Sequence, residues 1–285
     1  MTESTPESLG YAVEEEQKDL LSAMCLDFDV MSLVCGDLPP TRGIKELMRR
    51  SDQGAVNSCV GFGATHAAMV SLFNQTGVWR FLHPMWSYRR AQEQSNIRGD
   101  RGATIHGLAR SAKVDGFLPE DFDGDGQPES VYTTNYNMRF PEEAASVAKQ
   151  WLLGYSIELT SFDACLRFLQ AGQGAIITGG PWGNWKPNAA GVCTKYRSGG
   201  GGHSRAYVDW ITINGDLHLV EANSHGSRWG DDGFSYHTKG FVDSQCRDNS
   251  FVAIGLSDLQ HPMVRKVLTY DDLRTRMFSR GRRTL

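Results

Sequence analysis

The dipeptide Asn214-Gly215 constrains this chain more than any other feature. It separates two strand-like runs, 205–213 and 216–222, and both of its residues tolerate the left-handed backbone that a two-residue hairpin turn demands. The runs therefore pair as antiparallel strands. Upstream the pattern differs. Over 58–73 the apolar positions Phe62, Ala67, Val70 and Phe73 recur at helical spacing, with Ser58 as N-cap and Gly77 just past the end. A second helix is expected over about 104–113, closed by Asp115-Gly116, and a third over about 141–153. Later, Ala175 to Thr178 reads as a short strand, and a glycine-rich loop, Gly199 to Gly202, leads into the hairpin. Helices first and strands second describe an α+β chain with two lobes.

With 285 residues, 40% of them hydrophobic and 22% charged, the chain supports a substantial globular core. A net charge of -4 supplies no general attraction for nucleic acid, and no stretch approaches the roughly 18 apolar residues of a membrane helix. Neither nucleic acid nor a membrane is expected as a partner. Six cysteines, Cys25, Cys35, Cys59, Cys165, Cys193 and Cys246, include no C-x-x-C pair. Zinc-ribbon and thioredoxin-type readings fall away, and free thiols in a reducing, cytoplasmic or other intracellular setting are expected.

Charge is uneven along the chain. Residues 1–29 hold eight acidic groups against Lys18 alone, and 261–285 hold seven basic residues against Asp271 and Asp272. These are solvated tails or docking segments for a protein partner. The paired prolines Pro39-Pro40 stop any helix. The expected organisation is an acidic extension over 1–45, a central domain over 46–260 with a helical lobe at about 46–140 and a β lobe at about 141–260, and a basic tail over 261–285.

Cys59 falls at the first turn of the first helix. Unpaired N–H groups and the helix dipole favour thiolate there, although a buried cysteine is also an ordinary small core residue. The surrounding run, Asp52-Gln53-Gly54-Ala55-Val56-Asn57-Ser58-Cys59-Val60-Gly61-Phe62, resembles the nucleophile segment of papain-like cysteine peptidases. Gly201-Gly202-His203-Ser204 resembles that family's catalytic-histidine segment. Asn223-Ser224-His225-Gly226-Ser227-Arg228-Trp229-Gly230-Asp231-Asp232-Gly233-Phe234 is similar to its Asn-Ser-x-Gly-x-x-Trp-Gly-x-x-Gly pattern. The resemblance covers about 37–255 in segments. It implies a two-lobed papain-like fold, with helical and antiparallel β lobes flanking a cleft, and hydrolysis of peptide bonds through a thioester acyl-enzyme without a required cofactor.

The resemblance assigns Cys59 as nucleophile, His203 as base, Asn223 as the group orienting the imidazole, and Gln53 as oxyanion donor beside the Cys59 backbone N–H. Preorganised donors of that kind contribute about 3 to 4 kcal/mol each. Gly102, in Asp100-Arg101-Gly102-Ala103-Thr104-Ile105, resembles the glycine that pairs with substrate backbone. Val60 stands where plant and lysosomal members have tryptophan, as in prokaryotic and viral relatives, so placement within a viral particle is one reading. Val56 replaces a disulfide cysteine, and the short lead-in implies no inhibitory pro-segment. His225 replaces a tryptophan that shields the histidine–asparagine hydrogen bond, which implies a wetter bond.

One geometric conflict follows from the hairpin. A regular ladder closed by Asn214-Gly215 sets Asn223 against Ala206, on the opposite face from His203. The triad therefore requires a bulge or a longer connection. Asp121, Asp123 and Asp125, with Gly126 and Glu129, repeat part of a calcium loop, but Tyr132 stands at the twelfth position, and a tight turn uses the same residues. Trp182 and Trp185 either line a cleft or pack a surface loop. The rival to a peptidase is a catalytically weak or inactive scaffold of this fold within a larger assembly. Another acyl transfer, amidase or transglutaminase-like, is the third reading.

Overall fold

A computed structural model of the chain describes residues 41–122, 136–172, 174–183 and 185–260. Both charged ends, apart from 41–45, lie outside the described residues, as do Asp123 and Asp125 of the candidate calcium loop. Asp121 is half-buried in a bend.

Helix α1 (Cys59–Thr76) begins with the candidate nucleophile. Fourteen of its residues are buried, from Cys59 to Leu72, so it is a central helix covered on every side rather than an amphipathic surface one. Gly77 ends it in left-handed conformation, as expected. Ser58 sits at the N-cap position but makes no side-chain cap bond, contrary to the sequence reading. Its hydroxyl faces the Val56 carbonyl at 3.5 Å instead. Helices α2 (Pro84–Gln94) and α3 (Ile105–Val114) pack beside α1. Thr104 caps α3 by accepting from Gly107 N at 2.9 Å.

The expected helix at 141–153 divides: α4 covers only Glu143–Ala148, and β1 (Leu152–Glu158) follows. Trp151-Leu152-Leu153 is a short apolar run that fits either period, and its strand partner lies at the far end of the chain. Then come α5 (Phe162–Gln170), β2 (Gly174–Gly183), β3 (Val192–Cys193), β4 (Gly200–Ile213), β5 (Asp216–Ala222), β6 (Phe234–Thr238), α6 (Lys239–Cys246) and β7 (Val252–Gln260). The seven strands form one sheet in the order β1-β7-β2-β4-β5-β6-β3, antiparallel except for β3 beside β6. Its central strands, β7, β2 and β4, pack against α1, which brings the Cys59 helix onto the sheet that carries His203.

The glycine run expected as a loop is already strand. Gly200 to Gly202 pair with Gly183, Trp182 and Pro181 of β2. The turn at Asn214-Gly215 has positive φ at both residues, 54° and 89°, as a two-residue hairpin requires. The required irregularity is also present. Asp209 pairs with Val220 but Tyr207 pairs with Glu221, so Val208 is an extra residue in β4. Ala206 then faces Ala222, and continuing that register sets Asn223 against residue 205, two positions from His203 and on its face.

Candidate active site

Cys59 meets β4 through its sulfur: Ser204, the neighbour of His203, donates its backbone N–H to Sγ at 3.4 Å. The approach depends on Gly63, one turn along α1. A Cβ there would lie 2.9 Å from both the Arg205 carbonyl and Ser204 Oγ. His203 Nε2 lies 2.7 Å from Asn223 Oδ1, and the same oxygen accepts the Ser224 backbone N–H at 2.7 Å. A backbone N–H can only donate, so the group facing the ring is the amide oxygen, and Nε2 carries the proton. Nδ1 is then the nitrogen whose lone pair serves as a base. Asn223 is itself anchored by its backbone N–H to Gly233 O at 3.1 Å.

Gln53 joins the same chain of bonds. Ser224 Oγ donates to Gln53 Oε1 at 2.6 Å, the Gln53 backbone N–H donates to Ser224 O at 2.9 Å, and Gln53 Nε2 donates to Val56 O at 2.9 Å. One Nε2 proton is used in that bond, and the amide has a second to offer a substrate oxygen. The four residues singled out as Cys59, His203, Asn223 and Gln53 thus come together at one place. Ser224 and Ser204, which hold them there, were inside the quoted motifs but were given no role in the sequence.

Gly102 is hydrogen-bonded inside the protein. It is buried, its N–H already donates to Tyr88 Oη at 3.2 Å, and its carbonyl accepts from Gln92 Nε2 at 3.0 Å. Tyr88 is fixed in turn by donating to Asp100 at 2.7 Å. The backbone donor expected to pair with substrate is therefore committed inside the protein.

The electrostatics differ from the sequence reading in two ways. Burial pushes the Cys59 thiol up to about 12, outweighing the Ser204 and Val60 backbone N–H groups and the nearby Arg205 charge, which pull it down. Position at the helix start alone does not yield a resting thiolate. Second, the His203–Asn223 bond is dry, since His203 is 0% and Asn223 3% exposed. The cover comes from another strand. Trp182 of β2 tilts over His203 with centroids 4.7 Å apart, and His225 stacks on His203 at 4.7 Å and 17° while touching Trp182 at 5.4 Å. Trp182 also contacts Trp185 at 4.8 Å, so the two tryptophans pack on each other and Trp182 covers His203.

Behind the indoles lies a buried ion pair. Arg205 stands 5.1 Å from the Trp182 ring and 4.9 Å from Trp185, and its Nη1 is 3.5 Å from Glu221 Oε2. Glu221 also neighbours His237 at 3.6 Å and Ser235 at 3.4 Å. Burial pushes the Glu221 carboxyl up to about 7 against the pull of Arg205. No cluster of three potential metal-ligating side chains occurs among the described residues.

The fold matches solved structures of one kind. Xylellain, a cysteine protease from Xylella fastidiosa, shares 14% identity at a TM-score of 0.61, over 91% of this chain and 99% of that one. The chain has the papain-like fold. Procathepsin B S9 from Trypanosoma congolense superposes at 0.62 with 14% identity, covering 88% of this chain and 87% of its own. Digestive procathepsin L 3 of Tenebrio molitor larval midgut superposes at 0.58 with 16% identity, over 82% and 74%. Neither a family model nor a characterised protein sequence matches the chain. At these identities the papain-like likeness is one of fold.

Proposed function

We propose that the chain is a papain-like cysteine peptidase that hydrolyses peptide bonds through a thioester. The supporting observation is the unbroken run of hydrogen bonds from Gln53 through Ser224 and Asn223 to His203, with the Cys59 sulfur held by the next residue. In this reading His203 Nδ1 takes the thiol proton as Sγ attacks the substrate carbonyl carbon. The Cys59 backbone N–H and Gln53 Nε2 receive the oxyanion, and the C–N bond breaks as His203 returns the proton to the departing amine. Water, deprotonated by His203, then cleaves the thioester. Because the buried thiol alone resists ionisation, thiolate and imidazolium form together, each as the other's counter-charge. No metal takes part in any of these steps. Free Cys165, Cys193 and Cys246 fit a reducing compartment.

A second reading, an inactive scaffold of the same fold, is favoured by one observation: Cys59 and His203 are both 0% exposed, so a substrate reaches them only after the cover moves. An epoxysuccinyl or iodoacetamide probe at mildly acidic pH separates the two. Selective modification of Cys59 that disappears in His203→Ala is the expected result. Labelling no faster than at the other cysteines would leave the scaffold.

A further inference from the structure

His225 is an ionisable ring stacked on His203 that the proposed chemistry leaves unused. Continuing the bulged register past Ala206–Ala222 sets residue 225 against 203, which is why the two imidazoles lie face to face. The backbone on either side is tied down: Asp52 bridges to His225, and Gly226 N donates to Ser51 O at 2.8 Å. The ring is half-buried, so it exchanges protons with water, yet its Nε2 is buried without a hydrogen-bond partner among the described residues.

The groups around it are few. Trp182 of β2 and Trp229 supply neutral rings at 5.4 Å and 6.5 Å. Burial holds the His225 imidazole below its ordinary value, Asp52 ahead of α1 favours a positive charge on it, Arg205 of β4 opposes one, and His203 of β4 stacks on it. Glu221 answers Arg205 at 3.5 Å. A neutral imidazole offers its π face to a cation stacked on it, whereas two imidazolium rings at this spacing repel across a dry gap. The stacked pair thus accommodates one positive charge and resists a second.

We propose that His225 is a positioning residue that gates the site by charge: neutral, it supports the His203 imidazolium; protonated, it drives the His203 proton back to the Cys59 sulfur. This rests on the peptidase reading, in which the thiolate–imidazolium pair is the reactive form. A tryptophan at the same place supplies the π face alone and no acid limit. His225 therefore adds an acid cutoff to a papain-like site, because the two rings titrate as a coupled pair.

Alkylation of Cys59 by iodoacetamide, followed across pH in the full chain and in H225W and H203A, tests the gate. The acid limb of the wild-type rate is expected about one pH unit or more above that of H225W. Superimposable limbs overturn the gate while selective labelling lost in H203A keeps the peptidase reading. Labelling of Cys59 that survives H203A overturns the peptidase reading and the gate with it. Should H225W fail to fold, nitrogen-15 NMR of the wild-type histidines replaces it. Resonances of His203 and His225 that each report both titration steps are expected, and two independent single-site curves overturn the proposal.

Discussion

His83, at the start of α2, and His203, on β4, are both 0% exposed, yet they are buried on different terms. Neither ring nitrogen of His83 has a hydrogen-bond partner among the described residues, and its ring packs edge-on against Phe140 at 5.0 Å. His203 is bonded to Asn223, covered by Trp182 and stacked on His225. The His83 ring is held as volume, and burial lowers its imidazole, like that of His66, to about 4. The β4–β5 face instead links its polar groups in sequence, from Gln53 to His203 and from Arg205 to Glu221. The position of His83 is set by packing, and that of His203 by hydrogen bonds and charge.

The sharpest way to break that contrast is Arg205→Met. A methionine fills much of the arginine stem's volume but leaves Glu221 buried without its cation, at an expected cost of about 3 to 5 kcal/mol. Glu221 already has a raised carboxyl pKa, and losing the cation raises it further. A raised folded-state carboxyl gives full stability below its unfolded value and loses it as pH rises through the folded value. The deficit should therefore be large at pH 8 and smaller at pH 5 by urea denaturation. An equal deficit at both would mean that packing rather than charge governs this face.

His83 gives the opposite test on the helical side. Its folded value of about 4 lies below the ordinary 6.5, so the stability it contributes is present above 6.5 and lost as pH falls toward 4. The loss amounts to at most about 3 kcal/mol for this one ring. His83→Leu should hold its urea midpoint better than the wild type between pH 7 and pH 4. If the two fall in parallel, His83 is not buried as a neutral spacer.

Gly63→Ala probes the seam where both regimes meet. The added methyl would press on the Arg205 carbonyl and Ser204 Oγ and push α1 off β4. Overpacking of this kind costs about 1 to 3 kcal/mol. Because Ser204 N is the donor to Cys59 Sγ, Cys59 labelling should slow by more than the stability loss explains. Unchanged labelling in a destabilised protein would separate the packing seam from the site.

The contrast also accounts for what the sequence disclosed. The triad candidates and the bulge were legible because they follow from local motifs and from a two-residue periodicity that a turn pins in register. Trp182 was visible only as an aromatic near glycines. Its placement over His203 comes from the β2–β4 pairing, which no local pattern encodes. The internal bonds of Gly102 are not legible in sequence because its partners, Tyr88 and Gln92, belong to α2, a helix marked there only by Pro84 at its first turn. The thiol pKa went astray for a similar reason. A helix start can be read from spacing, but the burial that outweighs it depends on the whole sheet packed against α1.

Ser224→Ala should have the smallest effect on stability and asks whether the sheet-side chain of bonds works as a unit. The hydroxyl it removes donates to Gln53 Oε1 at 2.6 Å, while the backbone bond from Gln53 N to Ser224 O at 2.9 Å survives. The expected loss of stability is about 0.5 to 1.5 kcal/mol. Gln53, still tied to Val56 O but free to swing its amide, should present its second N–H to the oxyanion less often. Turnover of a peptide substrate should therefore fall by about tenfold or more while the rate of Cys59 alkylation, which develops no oxyanion, stays near that of the wild type. If both rates fall together, Ser224 acts through Asn223 and the imidazole instead, since Asn223 Oδ1 accepts the Ser224 backbone N–H at 2.7 Å and a shift of that strand end would reach His203 first.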